Sequence, residues 1–335
     1  MSGSLFLVTG VNGLIASHVA DQLLAAGHRV RGTVRSLSHS SWLTPLFESR
    51  HGPGRFGLVQ LDDSGAEGAW EVALQGVSGV ASVASPTTLD IGDPEAAAQA
   101  ELRWFYTLLA AAKKTASVRS VSFTSSAWAA YTPVPNVPMV VNENSWNEDA
   151  LRRAADGSLS EEEKGLAKFM AVKVMVERAC WDWVSRERPH FRFNAVLPDT
   201  VLGPILAPAH QHGSTAGMLV RLFEGRNYEV VRSIVPQWFV DARDVGMLHV
   251  ALLTDESVDG RRVFAFAERY SWHQILGIMR GLFPKREFVE LEDLGVDLAD
   301  VPSRFAEELL GRMGRTAWVG LEESVRDNLG PYLEQ

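Results

Sequence analysis

Between a short apolar run and a helical pattern the chain carries Thr9-Gly10-Val11-Asn12-Gly13-Leu14-Ile15-Ala16, a Gly-x-x-Gly-x-x-Ala turn. The amides at a helix N-terminus bind anionic oxygens, and each small residue has a separate task. Gly10 permits the tight turn, Gly13 lets the backbone approach a pyrophosphate, and Ala16 allows close packing of helix on strand. With Asn12, Leu14 and Ile15 these residues form an expected dinucleotide-binding loop. No Gly-Lys-Ser/Thr follows, which argues against a P-loop. The next strand pattern ends in Thr33-Val34-Arg35-Ser36. An acidic residue at that point would bond a ribose 2′-hydroxyl, whereas an arginine accommodates a 2′-phosphate, so Arg35 points to NADP(H) unless it is merely a solvated surface residue. Asp62, at the end of the third strand pattern, can reach an adenine or close a turn.

Other reactive types are sparse. The single cysteine, Cys180, lies between Ala179 and Trp181, and its setting suits a buried helix face better than a reactive thiol. His210 and His212 form a His-x-His without further ligands, a weak basis for a metal, and we expect none. Lys+Arg 32 against Asp+Glu 41 gives a net charge of -9, with no electrostatic footprint for nucleic acid or an anionic membrane surface. No apolar run approaches the ~18 residues that span a bilayer. The run Leu5 to Val8 reads as a first strand rather than a signal peptide, and the expected compartment is the cytoplasm.

The elements that must position these residues alternate. A strand at Leu5–Thr9, a helix at Ile15–Ala26 and a strand at His28–Val34 make a βαβ unit. A strand near Gly57–Leu61, a helix near Gly68–Leu74, a strand at Val80–Ala84, an Ala-rich helix from Pro94 to Lys114 and a strand at Val118–Thr124 continue it. A Pro-rich loop, Tyr131 to Pro138, precedes a long helix from Glu161 to Arg186 and a strand at Arg192–Leu197. A Gly-rich loop (Gly203 to Gly217), a helix at Asp244–Leu253 and a strand at Val263–Phe266 follow. Such alternation predicts an α/β protein with a doubly wound, Rossmann-type parallel sheet and a smaller C-terminal mixed α/β lobe. We expect residues 1–198 to bind the dinucleotide and 199–335 to form mainly a substrate lobe, with the chain crossing back near 239–267.

The pieces resemble the extended short-chain dehydrogenase/reductase superfamily, in its dihydroflavonol-reductase-like branch, and there the fungal and yeast carbonyl (aldehyde) reductases. The matching segments are Val83-Ala-Ser-Pro86, Phe123-Thr-Ser-Ser126, Asn142-Glu-Asn-Ser-Trp146, Glu177-Arg-Ala-Cys-Trp181, Leu197-Pro-Asp-Thr-Val-Leu-Gly-Pro204, Gly213-Ser-Thr-Ala-Gly217 and Phe239-Val-Asp-Ala-Arg-Asp-Val245. The resemblance implies cofactor contacts from Ala84, Ser85, Pro198 and Val201 as well. It also implies a catalytic serine, matched by Ser126, and a Tyr-x-x-x-Lys pair whose lysine is Lys173. In that family the lysine holds the nicotinamide ribose and lowers the tyrosine pKa, the tyrosine protonates the carbonyl oxygen, and the serine steadies it.

Here the tyrosine position is Phe169, which has no proton to give, and no tyrosine of the chain lies four residues before a lysine. Val172 and Ser82 are further departures from the family's pattern, and Tyr106 falls where many members carry a relay asparagine. Candidates for a substitute donor are Tyr131, which is otherwise a packing or substrate-contacting phenol, and Asp199, otherwise a solvated loop carboxylate. Lys168 reads as a surface residue, and the His210 loop as a cover for the substrate or a plain polar loop. Trp128, Trp238 and Phe239 are core or pocket wall, and an aromatic pocket would suit a bulky apolar small molecule. The first expectation is therefore an NADPH-dependent carbonyl or enone reductase, monomeric or homodimeric, with an atypical proton donor. The second is a non-redox cyclase, isomerase or dehydratase that retains the cofactor. The third is a cofactor-sensing binding protein.

Overall fold

A computed structural model describes residues 3–86, 90–226 and 228–333. Its first part runs β1 (Leu5–Val8), α1 (Leu14–Ala25), β2 (Arg29–Val34), α2 (Leu43–His51), β3 (Phe56–Gln60), α3 (Glu71–Leu74), β4 (Gly79–Ser82), α4 (Pro94–Lys114) and β5 (Ser120–Thr124). Next come β6 (Met139–Val140), α5 (Glu148–Ala155), α6 (Glu161–Lys164), α7 (Leu166–Glu187), β7 (Arg192–Pro198) and β8 (Thr200–Leu202). The remainder is α8 (Ser214–Phe223), α9 (Tyr228–Arg232), β9 (Gln237–Asp241), α10 (Ala242–Thr254), β10 (Arg262–Ala265), β11 (Glu268–Tyr270), α11 (Trp272–Leu282), β12 (Ala299–Asp300), α12 (Arg304–Arg312), α13 (Leu321–Asn328) and α14 (Gly330–Leu333).

Seven strands form one parallel sheet in the order β10-β7-β5-β4-β1-β2-β3. The order reverses between β1 and β4, and in a doubly wound sheet that switch point opens the crevice where ligands bind. Both faces are covered, which is why its strands are apolar runs rather than alternating ones. On one face α4 and α7 bury Phe105, Leu108, Val176 and Cys180 against Val121 and Phe193. On the other, α1 packs Val19 and Leu23 against Val8 and Ala81, joined by Val250 and Leu253 of α10. Complete burial of a side chain such as Phe105 contributes about 1.5–3 kcal/mol. Burial of Cys180 pushes its thiol pKa well up, in keeping with a packing residue. Beyond β7 lie a small sheet, β11-β9-β8, and the β12-β6 pair, while β10 returns to the main sheet beside β7.

Local signals set the element ends. α4 begins where the Asp93 side chain accepts from the Glu95 amide, with Pro94 as its first residue, and ends on Lys113 and Lys114. Four expectations are corrected. The long helix expected from Glu161 to Arg186 is broken at Gly165 (φ +38), a backbone conformation that continues no helix. The Gly203–Gly217 loop is shorter than expected, because α8 begins at Ser214. The helix near Gly68–Leu74 is one turn, Glu71–Leu74, since Gly68 adopts φ +77. α2 was not expected at all. Among the described residues no helix is long and apolar enough to cross a membrane.

Candidate active site

The turn after β1 sits at the switch point and is held from three sides. Thr9 Oγ1 accepts from the amides of Val83 and Ala84, both at 2.9 Å, tying the turn to the end of β4. The Gly10 amide donates to Thr33 Oγ1 on β2 at 3.1 Å. Gly10 itself has φ +60, and a Cβ there would lie 3.0 Å from Ala84 Cβ. α1 opens at Gly13 with no side-chain cap and no acidic residue in its first turn, so its leading amides have no side-chain acceptor and an anion there meets no repelling charge. This bare cradle fits a dinucleotide pyrophosphate. Arg35 lies just past β2, exposed and with no hydrogen bond or ion pair among the described residues, open to an anion. Asp62 is exposed and accepts from Gln60 Nε2 at 2.6 Å, while Gln60 Oε1 holds the Leu37 amide at 3.1 Å, so this carboxylate braces the loop after β2.

The loop carrying the two histidines lies along this turn. Gln211 Nε2 donates to Asn12 O (3.1 Å), Gly13 O (3.3 Å) and Ser17 Oγ (3.0 Å). His210 stacks on Trp42, ring centroids 5.4 Å apart and 9° from parallel. Among the described residues no histidine, cysteine or carboxylate cluster has the makings of a metal site.

Phe169 and Lys173 come together on α7, and Trp128, two residues past Ser126, packs against the Phe169 ring. Ser126 follows β5 with extended backbone, and its Oγ accepts from the Trp128 amide at 3.2 Å, leaving the hydroxyl hydrogen free to point elsewhere. Phe169 and Lys173 share a face of α7 because four residues make about one turn, and the Lys173 ammonium stands 5.2 Å from the Phe169 ring centroid. The Trp128 ring meets the Phe169 ring edge-on at 5.9 Å. Lys173 Nζ also donates to Ser85 Oγ at 2.5 Å and stands 3.6 Å from Glu101 Oε2. Val172 points into the core, and Ser82 is buried in β4.

Glu101 was not singled out in the sequence, although a carboxylate in the stripe Ala98, Glu101, Phe105, Leu108 was a signal that it has a charged partner. Tyr106, where many family members carry a relay asparagine, faces α7: its hydroxyl donates to Ala179 O at 3.5 Å. One residue along a helix rotates a side chain by about 100°, which carries Tyr106 away from the site that Phe105 and Glu101 face. Lys168 is likewise not a surface residue. It is buried, donates to Gly92 O at 2.7 Å and pairs with Glu161.

One turn past Lys173, the fully buried Glu177 accepts from Arg262 Nε (2.7 Å), Ser125 Oγ (2.6 Å) and Trp181 Nε1 (3.1 Å). This network joins α7 and β10 to the residue preceding Ser126. Tyr131, Asp199 and Asp297 form a second cluster. The Tyr131 hydroxyl lies 3.1 Å from Asp199 Oδ2 and 2.9 Å from Asp297 Oδ2. Burial and the neighbouring Asp297 push Asp199 up to about 8, while burial and both carboxylates raise the Tyr131 phenol well above its ordinary value. A phenol so raised is a poor acid. Pro198 ends β7, and Val201 is buried in β8 beside it. Trp238 lines the same edge with its amide 3.4 Å from Asp199 Oδ2, whereas Phe239 is entirely core.

The sequence profile described as the NAD dependent epimerase/dehydratase family matches residues 6–265. Aldehyde reductase 2 of Sporidiobolus salmonicolor is 36% identical over 330 residues, covering 98% of this chain and 96% of that protein. An NAD-dependent epimerase/dehydratase, terH, of Aspergillus terreus is 34% identical over 325 residues (96% of this chain, 95% of the relative). The ketoreductase adrE of Penicillium rubens is 34% identical over 333 residues (98% and 96%). Among solved structures, a yeast methylglyoxal/isovaleraldehyde reductase complexed with NADPH shares the fold with a TM-score of 0.78 at 23% identity, over 99% of this chain and 98% of that one.

Proposed function

The chain belongs to the NAD-dependent epimerase/dehydratase family, and from that premise we propose that it is an NADPH-dependent reductase of aldehydes or ketones whose proton donor is not the customary phenol. The observation that carries this reading is the Lys173 ammonium over the Phe169 ring, with Trp128, which bonds Ser126 through its amide, packed edge-on against the same ring, in a protein whose turn after β1 suits a pyrophosphate. Bound NADPH supplies the hydride. The Gly10–Gly13 turn and the first turn of α1 would hold its pyrophosphate, and the Lys173 ammonium, kept in place by Ser85 and Glu101, would hold its ribose. Ser126 donates to the carbonyl oxygen and stabilises the negative charge that develops there. Phe169, Trp128 and Trp238 give the cleft an aromatic wall, which suits a bulky apolar substrate. Relatives named as aldehyde reductase and ketoreductase support reduction over a non-redox rearrangement, as does retention of the serine and lysine.

The cofactor part of the proposal rests on Arg35, an exposed guanidinium without a partner among the described residues, just past the end of β2. Initial rates of nicotinamide oxidation with a panel of aldehydes and ketones are expected to be far higher with NADPH than with NADH. Arg35→Ala should remove most of that preference by deleting a charge-assisted pair of about 1.5–3 kcal/mol, a 10- to 100-fold rise in the NADPH KM with that for NADH unchanged. Equal use of both cofactors by the native protein would refute the assignment.

A further inference from the structure

We propose that Asp199 is the catalytic acid of this site, carrying the proton that the missing phenol would have given, with Tyr131 and Asp297 as the residues that load and position it. The inference rests on the reductase reading. It starts from a count of hydrogens. Three oxygens stand in a row, Asp199 Oδ2, Tyr131 Oη and Asp297 Oδ2, at 3.1 and 2.9 Å. The phenol has one hydrogen for two carboxyl groups. With both carboxyls ionised, one contact would set two acceptors against each other inside the protein, where an unpaired charge is expensive. One further proton therefore belongs to the cluster.

That proton lies on Asp199. Asp297 accepts two short hydrogen bonds, from the Ala299 amide (Oδ1, 2.8 Å) and the phenol (Oδ2, 2.9 Å), whereas the contacts of Asp199 Oδ2 with the phenol and the Trp238 amide are longer, 3.1 and 3.4 Å. The row then runs in one direction: Asp199 donates to the Tyr131 oxygen, and Tyr131 donates to Asp297. The raised pKa of Asp199, about 8 from burial and the Asp297 charge, agrees with this assignment. The charged or titratable groups around Asp199 are Tyr131 on the loop after β5, Asp297 before β12, and on β11 Tyr270 and Arg269. Tyr270 spends its hydroxyl on Thr200 Oγ1 at 2.8 Å, and Arg269 covers the Trp238 ring and donates to Ala299 O.

Asp199 is also in the right place. β5 and β7 are neighbours in register, Thr124 beside Val196, with the Ser125 amide bonded to Val196 O at 2.8 Å. Ser126 and Asp199 thus leave adjacent strand ends toward the same crevice. The Trp238 amide reaches Asp199 while the preceding residue, Gln237, holds the Trp128 indole at 2.9 Å, and the Trp128 ring in turn meets Phe169. Asp199 keeps part of its surface open, unlike Tyr131 and Asp297. As the carbonyl carbon takes up hydride with its electron pair, the Asp199 O–H bond breaks and the product O–H bond forms. The negative charge passes to the Asp199 carboxylate, which the Tyr131 hydroxyl and the Trp238 amide then stabilise, and solvent returns the proton through the open side.

Infrared titration of the cofactor-free protein tests where the proton resides. A protonated-carboxyl band is expected to persist at neutral pH, to vanish as pH rises through about 8, and to be absent in Asp199→Asn. Kinetics test its use. Asp199→Asn, nearly isosteric and still able to donate to the Tyr131 oxygen through its amide nitrogen, should lower kcat by about 10²–10⁴-fold with little change in NADPH KM. The native kcat should fall tenfold per unit above pH 8, because the acid works only while protonated. Asp297→Asn should move that alkaline limb to lower pH by removing the neighbouring negative charge. Tyr131→Phe should move it higher by removing a hydrogen bond to the carboxylate form. A protein that reduces no carbonyl but shows the band overturns the reductase reading and leaves Asp199 as the proton's holder. Carbonyl reduction with no such band, or with native kcat and an unaltered alkaline limb in Asp199→Asn, overturns the proposal itself.

Discussion

Ser126→Ala is expected to lower kcat for carbonyl reduction by about 10²–10³-fold, the usual cost of removing one donor aimed at a developing oxyanion. The expectation follows from how its hydrogen bonds are used. Ser126 Oγ accepts from the Trp128 amide at 3.2 Å, and its own hydrogen has no acceptor among the hydrogen bonds of the described residues that involve it. Loss of the accepting role uncaps a single 3₁₀ turn, Ala127–Ala129, and costs about 1 kcal/mol of stability. Loss of the donating role falls on the reacting oxygen alone. The KM for NADPH should therefore stay within about twofold of native, since a group that acts only on the transition state changes kcat and kcat/KM together. Steady-state kinetics at saturating NADPH measure both. A variant with native kcat would show that the strand-end hydroxyl does not face the substrate.

Glu177→Ala should be the most destabilising single change near the site, by about 3–5 kcal/mol, because it strands a buried guanidinium. Arg262 lies within the protein on the Trp146 ring and would keep only its two backbone acceptors, Glu143 O and Ser145 O. Ser125 Oγ and Trp181 Nε1 would lose their acceptor as well. A midpoint in urea lower than native by that free energy divided by the denaturant slope is expected, with the slope itself unchanged. A loss under about 1 kcal/mol would mean that the ion pair does no more than offset its own desolvation. Ser125 precedes Ser126 and Glu177 lies one turn from Lys173, so any Glu177→Ala protein that folds should also turn over more slowly.

Much of this was legible before any coordinates. The turn at Gly10 to Ala16, the apolar strand runs and the capped start of α4 are local signals, and a parallel sheet follows from their alternation. What was missed depends on distance or on angle. α2 is polar and weakly amphipathic, and Pro45 in its first turn reads as loop, although proline is tolerated there. Glu161 to Lys164 and Leu166 to Lys168 are all good helix formers, so only the backbone of Gly165 separates the two helices. Tyr106 draws notice by its place in a familiar motif, whereas the helix face, set by the buried stripe through Ala98 and Phe105, selects Glu101. Asp297 had no local mark at all. It meets Tyr131 across 166 residues of chain, a contact that only the folded protein makes.

The family and the crevice lead to one claim, that hydride passes from the nicotinamide to a carbonyl carbon. The direct measurement is turnover of an aromatic ketone with NADPH carrying deuterium at the transferable position, followed by mass and proton spectra of the product. The account predicts an alcohol with one deuterium at the carbinol carbon, formed in step with the NADPH consumed. A product isomeric with its substrate, free of deuterium and formed without loss of NADPH, would contradict it.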